Sequence, residues 1–215
     1  MSRVRFGLIG TGFIGRTHAI ALNAAGAVFG ERFAPVCELL ADHTEEAAQR
    51  GARALGFARS TGDWRQLIAD PAIDVVDICT PNYLHRDMAL AAIGAGKHVY
   101  CEKPLANTAR EAREIAAAAD AAGVRHLIGF NYICNPLLQV AREMIAAGEL
   151  GEVRYIHSHR LGLGKFHTEN DALWDLAPHD LSMILAITGT APVEVRGEGA
   201  ALLDHLSDFA HLHMR

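Results

Sequence analysis

Short apolar runs alternate with helix-like stretches along the first 130 residues of the chain. The runs predict strands at 4–9, 33–41, 74–80, 98–101 and 125–129, and the stretches predict helices at 16–25, 44–55, 63–69, 85–95 and 108–122. A β-branched run such as 74–80 is typical of a strand buried on both faces. The alternation therefore predicts an α/β fold, a doubly wound parallel sheet with helices on both faces.

The pattern changes after Phe130. A helix at 136–147 precedes three candidate strands, and an irregular segment and another helix separate the first two of them. The candidate strands are 152–159, 193–200 and 209–214. This order predicts an α+β domain with a mostly antiparallel sheet, so we expect two domains, 1–130 and 131–215. The last strand would be an unpartnered edge, and we expect the chain to be a fragment of a longer protein.

A glycine-rich turn joins the first strand to the first helix: Gly10, Thr11, Gly12, Phe13, Ile14 and Gly15. In this context a G-x-G-x-x-G turn is typical of a dinucleotide site. Gly10 permits the tight turn, Gly12 lets the backbone approach the pyrophosphate, and Gly15 lets helix and strand pack closely. The helix N-terminus supplies N–H groups and a positive dipole end to the anion. These six residues are the predicted pyrophosphate site.

An acidic residue ends the second predicted strand. Asp42 is the candidate for the adenosine ribose hydroxyls, and a carboxylate there favours NAD over NADP. Asp42-x-x-Glu45 also reads as a helix capping box, so a structural role stays open beside the functional one. Glu38 is the second candidate for the ribose, although it lies inside the strand.

Composition narrows the class of protein. The chain has 215 residues, a net charge of −5 and no long basic run, so we expect no nucleic-acid partner. No apolar stretch approaches the ~20 residues of a membrane span, and the first apolar run ends in the glycine turn, unlike a signal peptide. The four cysteines lack C-x-x-C spacing, and three of them lie in strand-like runs. Buried thiols of this kind predict a cytoplasmic protein.

Polar residues that could carry chemistry follow two of the strands. Thr80-Pro81-Asn82 and Glu102-Lys103 lie at the carboxyl edge, where open α/β sheets bind ligands. In the second half, Asp175 and His179 share one face if their segment is helical. A lysine or histidine can take the hydroxyl proton while an alcohol loses hydride. The plainer alternatives are a surface lysine and helix caps, and Asp180 reads as a first-turn acid.

Two histidine pairs have strand spacing, His157 with His159 and His211 with His213. Each pair points to one face of a strand, but no carboxylate or cysteine stands at ligand spacing beside it. We therefore expect exposed strand histidines and no metal.

The chain resembles the Gfo/Idh/MocA family, named after glucose–fructose oxidoreductase and inositol dehydrogenase. The resemblance lies in segments 7–18, 76–85, 96–106 and 174–180, and the Glu-Lys-Pro element at 102–104 is the most specific part. It implies a Rossmann domain, a second domain with a broad antiparallel sheet, and NAD(P)-dependent oxidation or reduction of a sugar, polyol or sugar derivative. It also implies a homo-oligomer when the protein is full length.

The resemblance also implies roles for single residues. Lys103 would lie between nicotinamide and substrate, and His179 would be the acid/base with Asp175 beside it. Thr80, Pro81, Asn82, His85, Glu102 and Lys103 would join the glycine turn in holding the cofactor. The second half looks most like members acting on nucleotide-linked sugars, whereas 61–65 looks like dehydrogenases of free sugars. The alternative function is a non-catalytic dinucleotide-binding regulator or an inactive fragment, and the presence of the acid/base set favours the enzyme.

Overall fold

The computed structural model describes residues 3–30, 34–161, 170–203 and 205–215. The chain divides into two compact units, residues 1–129 and residues 130–215, each with its own contacts. The two units are therefore described one at a time.

The first unit contains six strands, β1 Arg5–Ile9, β2 Val36–Ala41, β3 Arg59–Thr61, β4 Val75–Ile78, β5 His98–Cys101 and β6 His126–Ile128. They form a parallel sheet in the order β3-β2-β1-β4-β5-β6. Its helices are α1 Phe13–Phe29, α2 Glu45–Leu55, α3 Trp64–Ala69, α4 Asn82–Gly94 and α5 Ala109–Ala122. The strand order reverses between β1 and β4, so the predicted doubly wound parallel sheet is confirmed.

Two apolar cores cover the two faces of this sheet. Val76 and Ile78 of β4 pack in the larger core, with residues of α3, α4 and α5. The smaller core joins β1 and β2 to α1 and α2, and Leu8 and Leu40 are completely buried in it. Successive side chains of a strand point to opposite faces, so Asp77 points to the α1 face of the sheet.

The helix caps agree with the sequence at one helix and correct it at another. Thr108 caps α5 by accepting from the Glu111 N–H group, and Gly123 ends that helix with φ +66°. Thr44 caps α2 by accepting from the Ala47 N–H group. The capping-box interpretation of Asp42 is therefore wrong, because the helix begins too late for Asp42 to be its N-cap.

The second unit contains helices and one small sheet. A 3₁₀ turn at Asn131–Cys134 leads to α6 Pro136–Ala146, and α7 Ala172–Thr188 follows later in the chain. Strands β7 Val195–Ala200 and β8 Phe209–Met214 pair antiparallel. The strand predicted at 152–159 is wrong: these residues are irregular and exposed. Since a strand needs a neighbour for its backbone hydrogen bonds, alternation alone cannot form one.

Burial differs between the two units. Every buried residue in the described part of the chain lies in the first unit, and each described residue of the second keeps part of its surface exposed. Cys37, Cys79 and Cys101 are buried as predicted, whereas Cys134 is exposed. Within the ranges that the structure covers, no helix is sufficiently long and apolar to traverse a membrane.

Candidate cofactor and proton-transfer sites

The glycine turn has the geometry that its motif requires. Gly10 has φ +99°, a conformation that an L side chain rarely adopts, and a Cβ there would lie 2.7 Å from the Cys79 carbonyl oxygen. A Cβ at Gly15 would lie 2.1 Å from the Gly10 carbonyl oxygen. The absence of a side chain at these two positions therefore lets α1 pack closely against the end of β1.

Gly12 serves a different purpose in the turn. It is the N-cap of α1, no side chain caps that helix, and a Cβ built on Gly12 meets no atom within 4 Å. Its φ of −62° suits any residue, so the protein itself does not require glycine here. Open space before an uncapped helix N-terminus fits a pyrophosphate, whose charge the helix N–H groups and dipole stabilise. Phe13 is exposed at the same helix end, while Ile14 packs into the smaller core.

Asp42 follows the last residue of β2 and faces this turn. Its carboxylate accepts hydrogen bonds from the Thr11 N–H at 3.2 Å and from the Thr11 hydroxyl. The His43 N–H donates to the other carboxylate oxygen at 2.7 Å. Burial alone would raise the pKa of the Asp42 carboxyl, but the hydrogen bonds from Thr11 and His43 lower it overall. Asp42 is thus an ionised acid held beside the glycine turn.

Glu38, the second candidate for the ribose, has a structural partner. It lies in the middle of β2, and the Arg59 guanidinium donates to its carboxylate at 2.9 Å. This position is away from the carboxyl edge of the sheet, so the geometry favours Asp42.

The loops after β4 and β5 are joined by a buried histidine. His85 on α4 is completely buried, with Nδ1 2.7 Å from the Pro104 carbonyl oxygen and Nε2 2.9 Å from that of Thr80. The helix begins directly after Pro81, three residues earlier than predicted, which places Asn82 in its first turn. His85 therefore holds the two loops together, and any effect of its ring on a cofactor passes through them.

Glu102 and Lys103 directly follow β5. Glu102 is buried, and one of its carboxylate oxygens accepts the Lys103 N–H at 3.0 Å. A Cβ at Gly129 would lie 2.3 Å from the other oxygen, so the end of β6 leaves just enough room for this carboxylate. The peptide bond between Lys103 and Pro104 is cis. The Glu-Lys-Pro element is thus a tightly packed loop at the carboxyl edge.

A histidine that sequence reasoning passed over lies beside these residues. His18, on α1, places Nδ1 3.0 Å from each carboxylate oxygen of Asp77 and Nε2 3.1 Å from Glu102 Oε1. Burial alone would lower the pKa of His18, but the hydrogen bonds and charges of the two carboxylates raise it to about 9. Burial raises the pKa of Asp77, and His18 opposes that shift. The sequence feature that could have indicated this cluster is Asp77, an acid inside an apolar strand, since a buried charge needs a partner.

The other predicted proton-transfer residues lie in the second unit. Asp175 and His179 are both on α7, one helical turn apart, as their spacing predicted. Asp171 caps this helix, so neither residue is its N-cap. The ring of His179 meets the Tyr132 ring edge-on, with centroids 4.9 Å apart.

The interpretation of Asp180 as a first-turn acid is wrong. Helix α7 begins at Ala172, which places Asp180 in the helix interior. Its carboxylate accepts from Ser158 Oγ at 2.6 Å and from Arg160 Nε at 2.5 Å, and the Arg160 guanidinium lies over the Tyr132 ring. The acid therefore ties the irregular segment before α7 to the helix that carries His179.

The two histidine pairs are both exposed, but they lie in different kinds of structure. His157 and His159 are exposed neighbours in the irregular segment, with ring centroids 4.1 Å apart. His211 and His213 are exposed on β8. Within the described ranges, His18, Asp77 and Cys79 form the group whose ligand atoms converge, all within 4.8 Å of one another.

Comparison with known proteins agrees with this geometry. A model of the GFO/IDH/MocA oxidoreductases, with the NAD-binding Rossmann fold, matches residues 4–130, and a model of a C-terminal domain of the same family matches residues 138–215. The chain belongs to the GFO/IDH/MocA oxidoreductase family. The resemblance noted in the sequence is therefore confirmed, and NAD is the cofactor type of the family's Rossmann fold.

Two curated relatives of this family member are similar over much of its length. Levoglucosan dehydrogenase of Pseudarthrobacter phenanthrenivorans is 42% identical over 154 residues, 71% of this chain and 40% of that protein. The 1,5-anhydro-D-fructose reductase of Ensifer adhaerens is 35% identical over 203 residues, 88% of this chain and 58% of that protein.

A solved structure is similar over the whole chain. A levoglucosan dehydrogenase in complex with NADH and levoglucosan matches with a TM-score of 0.87 and 29% identity, covering 100% of this chain and 64% of that one. The chain thus spans less than two thirds of the length of each of these relatives.

Proposed function

We propose that this chain forms the cofactor-binding unit and part of the substrate domain of an NAD-dependent dehydrogenase that acts on a secondary hydroxyl of a sugar or polyol. The observation that carries the proposal is the glycine turn. A Cβ at Gly12 would meet no protein atom within 4 Å, the helix that begins there has no side-chain cap, and the ionised Asp42 lies beside the turn. The sugar-acting relatives support the substrate class.

The proposed cofactor site follows from the carboxyl edge of the sheet. Residues 10–15 would hold the pyrophosphate through backbone N–H groups, and Asp42 would accept hydrogen bonds from the ribose hydroxyls. Its negative charge would repel a 2′-phosphate, which favours NAD over NADP. The loops after β4 and β5, fixed by His85, would line the remaining cofactor edge with Thr80, Pro81, Asn82, Glu102 and Lys103.

The proposed chemistry needs one proton acceptor and one charge stabiliser. NAD, when bound, accepts the hydride from the carbinol carbon. His179 takes the hydroxyl proton as the carbonyl forms, Lys103 stabilises the developing negative charge on oxygen, and Asp175 balances the charge of His179. The roles of His179 and Lys103 can exchange, because either side chain can accept the proton when it is unprotonated.

The substrate class is narrowed by the relatives and by the residues at 61–65. Levoglucosan and 1,5-anhydro-D-fructose, which appear in the names of the relatives, are small cyclic sugars without a nucleotide. We therefore propose a free or anhydro sugar as the substrate, in preference to a nucleotide-linked sugar.

A homo-oligomer and a cytoplasmic location remain predictions.

The deciding experiment is a substrate screen that follows NADH absorbance. The panel contains levoglucosan, a 1,5-anhydro sugar, myo-inositol, free hexoses and nucleotide sugars, each offered with NAD and with NADP. It is run on the chain and, since the chain spans less than two thirds of its relatives, on a form extended at its carboxyl end to their length. NAD-linked oxidation of one free sugar or polyol is the expected result. NADH binding without turnover on any substrate would favour the non-catalytic regulator.

A further inference from the structure

His18 lies between two acids, and a neutral imidazole cannot donate to both of them when both are ionised. An ionised carboxylate can accept hydrogen bonds but cannot donate one. Asp77 lies 3.0 Å from Nδ1 of the ring, and Glu102 lies 3.1 Å from Nε2 on the opposite side. A neutral ring donates from one nitrogen alone, so two donated bonds require the imidazolium. Asp77 is completely buried and Glu102 is 8% exposed, which makes an uncompensated pair of charges costly.

The surroundings of the ring favour this charged state. Tyr100 of β5 stacks on His18 with centroids 4.8 Å apart and 9° between the planes. The thiol of Cys79, the residue after β4, lies 3.3 Å from Nδ1, and burial together with the neighbouring carboxylates raises the pKa of that thiol, which keeps it protonated. Among the described residues, the titratable groups facing His18 are Asp77 of β4, Cys79 directly after it, Tyr100 of β5 and Glu102 directly after that strand.

Glu102 connects this ring to the loop that carries Lys103. One carboxylate oxygen accepts from His18 Nε2, and the other accepts from the Lys103 N–H at 3.0 Å. The Glu102 N–H also donates to the Ile78 carbonyl oxygen at 2.9 Å, and Gly129 leaves no space for the carboxylate to shift toward β6. A change at His18 would therefore move the Lys103 backbone through a single rigid side chain.

We infer that His18 is a positioning residue: as an imidazolium between Asp77 and Glu102, it fixes the Glu102 carboxylate and, through it, the backbone of Lys103 at the carboxyl edge of the sheet. The part of this inference that concerns turnover rests on the proposed function, in which Lys103 faces the reacting oxygen. The part that concerns the charge of His18 and the Lys103 backbone stands without any catalytic activity.

The charge of His18 is tested by long-range ¹H–¹⁵N NMR of the chain labelled at histidine nitrogens. The signal is assigned by its loss in His18→Gln. We expect two protonated ring nitrogens at pH 7.5 and a titration midpoint near the pKa of about 9. In Glu102→Gln, which keeps the shape of the side chain without its charge, the midpoint should fall by about one pH unit or more. A neutral ring at pH 7.5 in the unchanged chain would overturn the inference.

The positioning of Lys103 is tested by His18→Gln, because a glutamine can bridge at most one of the two carboxylates and carries no charge. Amide exchange at Lys103 should accelerate at least about tenfold. Glu102→Gln retains a carbonyl oxygen for the Lys103 N–H, so exchange there should stay within about threefold of the unchanged chain. His98→Gln, at the exposed start of β5, is the matched control and should leave Lys103 exchange unchanged.

A kinetic readout separates positioning from general destabilisation. In His18→Gln, kcat should fall at least about tenfold while the Kd for NAD changes less than about threefold. If neither the chain nor its extended form shows turnover, the proposed function fails while the NMR and exchange results still decide this inference. Wild-type kcat and Lys103 exchange in His18→Gln would overturn it. One zinc ion bound per chain and lost in His18→Gln would also overturn it, because His18, Asp77 and Cys79 would then be metal ligands.

Discussion

The carboxylate of Asp42 accepts a hydrogen bond from the backbone N–H of Thr11, 31 positions earlier in the chain. This bond joins the end of β2 to the glycine turn, so the acid and the turn face one ligand-binding edge. In the proposed cofactor complex the turn binds the pyrophosphate and the acid binds the ribose. Substitutions at Asp42 and at Gly12, the residue after Thr11, should therefore change different properties of cofactor binding.

Gly12→Val should weaken dinucleotide binding at least about tenfold, about 1.4 kcal/mol, without loss of the fold. The added Cβ meets no protein atom within 4 Å, so the cost arises only when the pyrophosphate approaches. Calorimetric titration with NADH measures the change, and thermal unfolding verifies the fold. Gly94→Val is the control, because a Cβ at Gly94 on α4 also meets no neighbour within 4 Å. Equal NADH affinity in the two variants would contradict the assignment of the turn.

Asp42→Ala should reduce the preference for NAD over NADP. We expect the unchanged chain to bind NADH at least about tenfold more tightly than NADPH, because the ionised carboxylate repels the 2′-phosphate. Removing the carboxylate should bring the two Kd values closer, mainly by weakening NADH binding. Glu38→Gln, on the same strand but paired with Arg59, should leave the preference unchanged. Tighter binding of NADPH by the unchanged chain would show that Asp42 only supports the turn.

His179→Ala should lower kcat by roughly 10² to 10⁴ on whichever substrate the screen identifies, because a positioned acid/base contributes about that much. NADH binding should stay intact, since the glycine turn lies in the other unit. His213→Ala is the control, an exposed histidine of β8 in the same unit as His179. Steady-state kinetics with NADH titrations measure both effects. Near-normal turnover in His179→Ala would exclude this histidine as the acid/base.

The stability of the first unit should decrease with rising pH because of His18. The folded pKa of about 9 lies above the unfolded value of 6.5, so the charged ring stabilises the fold fully below pH 6.5. That contribution declines by at most about 1.4 kcal/mol per pH unit above 6.5 and is lost once the pH passes the folded pKa. Urea denaturation between pH 6 and 10 measures the slope. His18→Gln should flatten it and His98→Gln should not, and equal slopes in all three proteins would refute the linkage.

The first unit should be the more stable part of the chain. All the described buried residues lie there, whereas β7 and β8 form a two-stranded sheet with largely exposed side chains. Such a sheet is marginally stable by itself. Amide exchange in 195–200 and 209–214 should be at least about 100-fold faster than in β4 and β5. Hydrogen exchange with NMR detection measures both sets at once, and uniformly slow exchange would show that the second unit is equally well packed.

The sequence predicted most of the first unit because its signals are local. The short run at 98–101 predicted β5 with the bounds that the structure shows, and Thr108 with Gly123 marked the two ends of α5. The same reasoning failed at 152–159, where an alternating run has no partner strand in the described chain. It also failed at Asp180, because the start of α7 depends on Asp171, several residues upstream.

The candidate site also has one part that local signals predicted and another that depends on contacts between distant residues. The sequence alone predicted the glycine turn, Asp42 and the Glu-Lys-Pro element. It could do so because the conformational freedom at Gly10 and the positions at which strands end depend on residues that are close in the chain. The charge of His18 depends on Asp77 and Glu102, which are 59 and 84 positions away. The tie between the two loops likewise needs His85 to reach Pro104. Only the folded sheet brings these groups within hydrogen-bonding distance, so only the tertiary structure decided which buried charges are paired.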